Sequence, residues 1–362
     1  MKNQKLNSFI TVTLIVGIVS ALFTVYAFGV RPLDLLGRRL YFEYIVKNTA
    51  VANDPLAESD HCLMGIYRPE LPYEFSRTGA VEESLGVELK IISFYQAWGD
   101  GDEHSFNIDV YTNLHKGEYI PMITWEPWLV AFEQFLGNQP DSSLDIIASG
   151  AVDDYIREWA RNATRYGKPF FVRPGHEMSN AWYTWSPAHG NTPEMFKAFW
   201  RRVHTIFREE GARNATFVWN PFVPADTAFY PGDEYVDWIG LDIFNFGSLA
   251  ENGRWTDFYT VTKILYDAVK KYDKPVILAE VGCVRAGGNK PNWYRDMFHS
   301  LAVGNFPLVK AVVLFDTPKG KTPTGLIADL GISSNPDIFG IIDIKDLLKC
   351  GIQPIPSQGG AK

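Results

Sequence analysis

Cysteine is scarce. The chain carries only Cys62, Cys283 and Cys350 among 362 residues. This odd, widely spaced set excludes a disulfide scaffold and a metal-knuckle spacing. It leaves room for one bridge whose partners the spacing does not choose. Positive charge is also short, with 34 Lys and Arg against 42 Asp and Glu and a formal net charge of −8. Without a basic patch, the chain lacks the electrostatic footprint of a nucleic-acid binder. No glycine-rich phosphate loop, no Gly-x-Ser-x-Gly elbow and no His/Cys or His/Glu metal spacing occurs. There is no internal repeat, and no low-complexity segment beyond a short Pro/Gly tail after Gly351. The sequence therefore calls for no metal and no cofactor.

Apolar residues are plentiful, at 46% of the chain, enough for one large core. A barrel of about 250 residues or more folds as a single domain. The first segment differs in kind from the rest. Phe9 to Val30 carries no charge, with Lys2 and Lys5 before it and Arg31, Arg38 and Arg39 after it. Such a run is long enough to span a bilayer and longer than the usual apolar core of a cleaved signal peptide. Val25-Tyr26-Ala27 offers a small-residue cleavage site as the alternative. The expectation is a transmembrane or signal-anchor helix over 1–30, a juxtamembrane linker over 31–58, one folded domain over 59–350 and a flexible tail over 351–362. The folded part is then extracytoplasmic, membrane-anchored or secreted.

From His61 onward short apolar runs alternate with helical patterns. Strands are predicted at Cys62 to Tyr67, Val87 to Phe94, Tyr119 to Thr124, Phe170 to Arg173, Ala215 to Trp219, Val236 to Ile243, Pro275 to Ala279 and Val309 to Phe315. Near-continuous apolar runs suit strands buried on both faces. Helices are predicted at Glu74 to Leu85, Val152 to Tyr166, Pro193 to Glu210, Asp257 to Lys271 and Asn292 to Leu301, with a closing helix at Pro336 to Lys349. Thr192 is the N-cap of the third, with Pro193 at its first position. Eight strands alternating with helices make an α/β fold, a (β/α)8 TIM barrel, whose chemistry sits at the C-terminal strand ends.

Two of those ends carry a glutamate. The fourth strand runs into Arg173-Pro174-Gly175-His176-Glu177-Met178, then Trp182, Tyr183 and Trp185. The seventh ends in Glu280-Val281-Gly282. Two carboxyl groups facing each other across one barrel mouth are the arrangement that cleaves a glycosidic bond, one as acid and one as nucleophile. Aromatic rings nearby suit the flat apolar faces of sugars. Trp182 and the barrel wall are placed to desolvate Glu177 and hold its proton. Arg173 is placed to keep Glu280 ionised, and His176 to bind a sugar hydroxyl or orient a carboxylate.

The Arg-Pro-Gly-His-Glu-Met string with Trp-Tyr-x-Trp resembles the acid/base motif of glycoside hydrolase family 26, which holds β-mannanases, mixed-linkage β-glucanases and a few β-xylanases. Tyr230 to Asp242, Val276 to Gly282 and Val218 to Pro221 are similar to its sixth, seventh and fifth strands. The resemblance covers roughly residues 61 to 348. It implies a retaining endo-β-glycanase with Glu177 as acid/base and Glu280 as nucleophile, acting on a polysaccharide, β-mannan first and mixed-linkage β-glucan second. The chain departs from the pattern in three places, one of them the eighth strand, which ends in Leu314-Phe315-Asp316 where a Trp platform is often found nearby. The acid motif continues with Ser179-Asn180 where Asn-Gly is usual. Phe244 stands where the family's sixth strand ends in a Tyr that donates to the nucleophile, so the resemblance implies weaker control of Glu280.

Other strand-end residues read either as sugar contacts or as packing. Trp125, Glu126 and Trp128 follow the third strand, Tyr95 and Trp98 the second, and Trp219 and Asn220 the fifth. Trp98, Trp125, Glu126, Trp182, Trp185, Trp219 and Phe244 join Arg173 and His176 as candidate substrate contacts. Asp242 reads as structural. A glycan-binding barrel with little turnover is the reading of another class.

Overall fold

The computed structural model describes residues 62–338 apart from 76, 77, 323, 334 and 336. The expected anchor, linker, closing helix and tail, together with Cys350, lie outside these residues. Among the described residues no helix is long and apolar enough to cross a membrane.

Eight parallel strands close into a barrel in sequence order. They are β1 (Leu63–Tyr67), β2 (Leu89–Ala97), β3 (Ile120–Glu126), β4 (Phe170–Pro174), β5 (Ala215–Trp219), β6 (Trp238–Asn245), β7 (Val276–Cys283) and β8 (Val309–Phe315). β1 pairs with both β2 and β8, which closes the ring and leaves no sheet edge. All eight strands lie close to where the apolar runs predict them. β2, β3, β6 and β7 extend further at their C-terminal ends than expected, by two to four residues, and those extra residues carry the site.

The outer layer contains α1 (Thr78–Leu85), α2 (Ile108–Lys116), α3 (Ser143–Ser149), α4 (Asp153–Tyr166), α5 (Pro193–Glu209), α6 (Phe258–Val269) and α7 (Lys290–Ala302). α4 shows why these segments are helical. Ile156, Trp159, Ala160, Ala163 and Tyr166 form one buried stripe at helical spacing, Asp153 and Asp154 sit in the first turn, and Gly167 ends the helix at φ 65°. α5 begins as expected, with the Thr192 hydroxyl accepting from the Met195 N–H at 3.3 Å and Pro193 at its first position. α2 and α3 are not expected from the sequence reading. α2 is short, capped by Asn107, and buries only Tyr111 and Leu114.

Two local irregularities aim side chains into the mouth. On the β6–β7 ladder Leu241 pairs with Leu278 but Asp242 pairs with Glu280, so β7 carries one extra residue there. A bulge of this kind bends its strand and re-aims the next side chain, here Glu280. On β6, Gly240 lies so close to Asn220 that an added Cβ would fall 2.2 Å from its Oδ1. The Gly240→Ala protein is therefore expected to lose about 1–3 kcal/mol through overpacking, read as a lower urea midpoint at unchanged slope. An unchanged midpoint would mean that Asn220 can move aside freely.

Candidate active site

The barrel interior is crossed by one guanidinium. Arg173 on β4 has no solvent exposure. Its Nε and Nη2 donate to Thr124 Oγ1 at 3.1 and 2.6 Å, across the register pair Thr124 and Arg173. Its Nη1 donates to Asn220 Oδ1 at 3.0 Å and to both oxygens of Asp242 at 2.9 and 3.1 Å. Its Nη2 also donates to Glu280 Oε1. One side chain thus ties together β3, the end of β5, β6 and β7. Burial opposes its charge, but Asp242 and Glu280 more than offset this and leave the guanidinium more basic than usual.

Glu280 is 5% exposed and Glu177 9%. Glu280 Oε1 takes a second donor, the Tyr95 hydroxyl from β2, at 2.5 Å. Glu177 sits just past β4 with a left-handed backbone, φ 48°, an uncommon state for a residue with a Cβ. Its N–H is pinned to the Asn220 carbonyl at 2.9 Å, and Asn180 Nδ2 donates to its Oε2 at 2.8 Å. Asn180 is the residue that replaces the expected glycine, and it holds the carboxyl. Burial first, then the nearby Glu280 charge, push Glu177 up to about 7, with Asn180 opposing. The two glutamates are therefore close enough to sense one another. Asp242 is pushed well up by burial and by Glu280, and Arg173 offsets this only in part.

A third glutamate faces the same mouth. Glu126 at the end of β3 accepts from Trp128 Nε1 at 3.1 Å. Burial raises it to about 7 against that hydrogen bond. The half-buried rings of Phe244 and Phe315 close the β6–β8 side, 5.3 Å apart and edge to face. Tyr67 stacks on Phe315 at 4.5 Å and meets Tyr95 edge-on at 5.1 Å.

Several expected substrate contacts need correction. Trp98, Trp125, Trp185 and Trp219 have no exposed surface, and a covered ring cannot stack on a sugar. Trp98 and Trp125 pack on each other at 4.4 Å, and Trp125 packs on Trp159 of α4 at 4.5 Å. Trp219 lies against Tyr230 at 5.1 Å. Trp185 is stacked under Tyr183 at 4.4 Å, and its Nε1 donates to the His176 carbonyl at 2.9 Å. His176 is 1% exposed and bonds the Tyr183 hydroxyl through Nε2 at 2.8 Å. Burial, helped by Arg173, pushes it well below its usual pKa and keeps it neutral. Arg173 touches carboxylates rather than solvent. Of the nine candidates, Trp182, Glu126 and Phe244 keep accessible surface, and Trp182 is 73% exposed. Tyr95, read from the sequence as a sugar contact or packing, donates instead to Glu280, and Asn180, given no role there, donates to Glu177. Cys283 is a free, buried thiol on β7 whose pKa is raised by burial. Among the described residues no group of His, Cys, Asp and Glu is arranged to hold a metal ion.

Comparison with known proteins follows the same lines. Residues 113–290 match the model of glycosyl hydrolase family 26. Endoglucanase H of Acetivibrio thermocellus is 34% identical over 241 residues, 64% of this chain and 25% of that protein. The mannan endo-1,4-beta-mannosidase of Bacillus subtilis strain 168 is 29% identical over 142 residues, 37% of this chain and 36% of that protein. The chain thus spans about a quarter to a third of these relatives. Among solved structures, the GH26 endo-beta-1,4-mannanase catalytic domain of Bacillus sp. JAMB-750 superposes with TM-score 0.59 at 18% identity, covering 86% of this chain and 93% of that one. The GH26 beta-mannanase of Bacteroides ovatus gives TM-score 0.55 at 17% identity, covering 86% and 94%. At such identities the structural likeness bears on the fold.

The contrast between exposed and covered rings has a direct consequence. Trp182→Ala should change stability by no more than about 0.5 kcal/mol, while Trp185→Ala should cost about 3–5 kcal/mol. Paired denaturant titrations check this, and a large loss in Trp182→Ala would show that its ring is packed in solution.

Proposed function

The chain belongs to glycosyl hydrolase family 26, and on that premise we propose that it hydrolyses internal β-1,4 linkages of a polysaccharide with retention at the anomeric carbon. The observation that carries this reading is the asymmetric pair: Glu177, buried and raised to about 7, beside Glu280 held by Arg173 and Tyr95. A retaining site needs one carboxyl protonated and the other ionised. Glu177 gives its proton to the leaving oxygen as Glu280 bonds the anomeric carbon. Glu177 then takes a proton from the water that releases the sugar. Every step uses side chains of this chain.

β-Mannan is the proposed substrate, in line with the activity named for the Bacillus subtilis relative. Mixed-linkage β-glucan is the second reading. The higher identity to the endoglucanase favours it. Phe9 to Val30 supports a site of action outside the cytoplasm, anchored or secreted. Detergent partitioning and N-terminal sequencing of the mature protein would distinguish the two.

Reducing ends released from mannan, glucomannan, mixed-linkage glucan and xylan test the activity. Glu280→Ala should lower the rate by at least about 10³-fold. Equal rates for the two proteins would favour a glycan-binding barrel, and net inversion in the first product would contradict the mechanism.

The pH dependence has a fixed sign. Glu177 works as an acid only while protonated, below about 7, so the rate should fall about tenfold per pH unit above that value. Glu126 is raised to a similar value. Glu126→Gln should therefore keep the basic limb; a limb that vanishes in that variant belongs to Glu126.

A further inference from the structure

The two oxygens of Glu280 are not equivalent. Oε1 accepts from Arg173 Nη2 and from the Tyr95 hydroxyl at 2.5 Å. Oε2 accepts no hydrogen bond from any described residue. Charge-assisted donors of this kind fix a carboxylate oxygen in place. An oxygen already holding two donors has its lone pairs engaged, and its partner does not.

The donor from β2 is built to stay where it is. The Tyr95 ring meets Tyr67 of β1 edge-on at 5.1 Å and His176 of the β4 loop at 5.8 Å. Tyr67 in turn is stacked on Phe315 of β8. Burial and the Glu280 charge both hold the Tyr95 hydroxyl in its protonated, donating form. Phe244 on β6 offers no hydroxyl, and its neighbours are Phe246, Phe315 and a close approach to Gly282. Among the described residues, the neutral donor to Glu280 comes from the opposite side of the mouth.

We propose that Tyr95 is a positioning residue that, with Arg173, clamps Oε1 of Glu280 and thereby assigns the attack to Oε2. The inference rests on the retaining reading. In the covalent step an Oε2 lone pair forms the bond to the anomeric carbon. The bond from that carbon to the leaving oxygen breaks, and the leaving oxygen takes the Glu177 proton. Oε1 becomes the ester carbonyl and keeps its donors. When water attacks in the second step, the same donors receive the returning carboxylate charge.

Tyr95→Phe removes the hydroxyl and keeps the ring contacts. The expected result is a kcat lowered about 10–100-fold with KM within threefold, and an acid limb of the pH–rate profile moved to higher pH. A merely structural role would move neither the limb nor kcat relative to KM. The crystal structure of the native protein trapped with a 2-deoxy-2-fluoro glycoside should show the ester on the oxygen facing away from Arg173 and Tyr95. An ester on the clamped oxygen, or a variant with kcat within threefold and an unmoved limb, overturns the inference and leaves the hydrolase reading intact. A native chain no more active than Glu280→Ala on every substrate overturns both.

Discussion

A guanidinium buried in the barrel holds the mouth together. Removing Arg173 from water carries a large desolvation cost, and only well-placed partners offset it. It has them on three strands and just past a fourth: Thr124, Asp242, Glu280 and Asn220. The barrel must keep its register for all four to meet, and the bulge on β7 brings Glu280 level with Asp242. Cutting the contact to Thr124 leaves the buried Nε without its partner. The network is thus a weak source of net stability and a strong source of geometry.

The same cation sets the proton count. Four carboxyl groups, Glu126, Glu177, Asp242 and Glu280, lie within electrostatic reach of Arg173. One positive charge cannot balance four negative ones in a covered site, so some carboxyls must stay protonated near neutrality. The two bonded to the guanidinium are Asp242 and Glu280. The two without that bond, Glu126 and Glu177, are the ones raised to about 7. Asp242 is raised as well, despite its bond to the guanidinium, so contact with the arginine does not by itself decide which carboxyl keeps its proton.

How much of this was legible in the sequence depends on what each inference needed. The eight strands needed only apolar run length, and the pair Glu177 and Glu280 needed only strand order and the rule that chemistry sits at C-terminal ends. The tryptophans needed more. Along a strand, side chains alternate between the barrel interior and the helix layer. Thr124 points in to Arg173, so Trp125 points out to α4. Asn220 points in, so Trp219 points out. Tyr95 points in to Glu280, so Gln96 points out to Tyr111 of α2. Without a known inward residue on each strand, position at a strand end does not give the direction of a ring. Once Arg173 is placed, the parity of its neighbours follows. The short helices α2 and α3 were missed for a different reason: few buried residues give little periodic signal.

The polar and apolar halves of the mouth divide the labour. β2, β3 and β4 bring Tyr95, Glu126 and Arg173, and the loop after β4 brings Glu177. β6 and β8 bring the half-buried Phe244 and Phe315, backed by Phe246 and by a small cluster of Val284, Ala328 and Leu330. A hydroxyl on the second side would sit among rings and a leucine. On the first side it meets a carboxylate and an arginine. Phe244 therefore fits its surroundings, and the missing donor there need not loosen Glu280 as the resemblance implied. The polar wall supplies the donors that hold Glu280, and the rings of Phe244 and Phe315 supply apolar surface opposite. A sugar bound between them would meet hydrogen bonds on one edge and aromatic surface on the other, as an amphipathic ring requires.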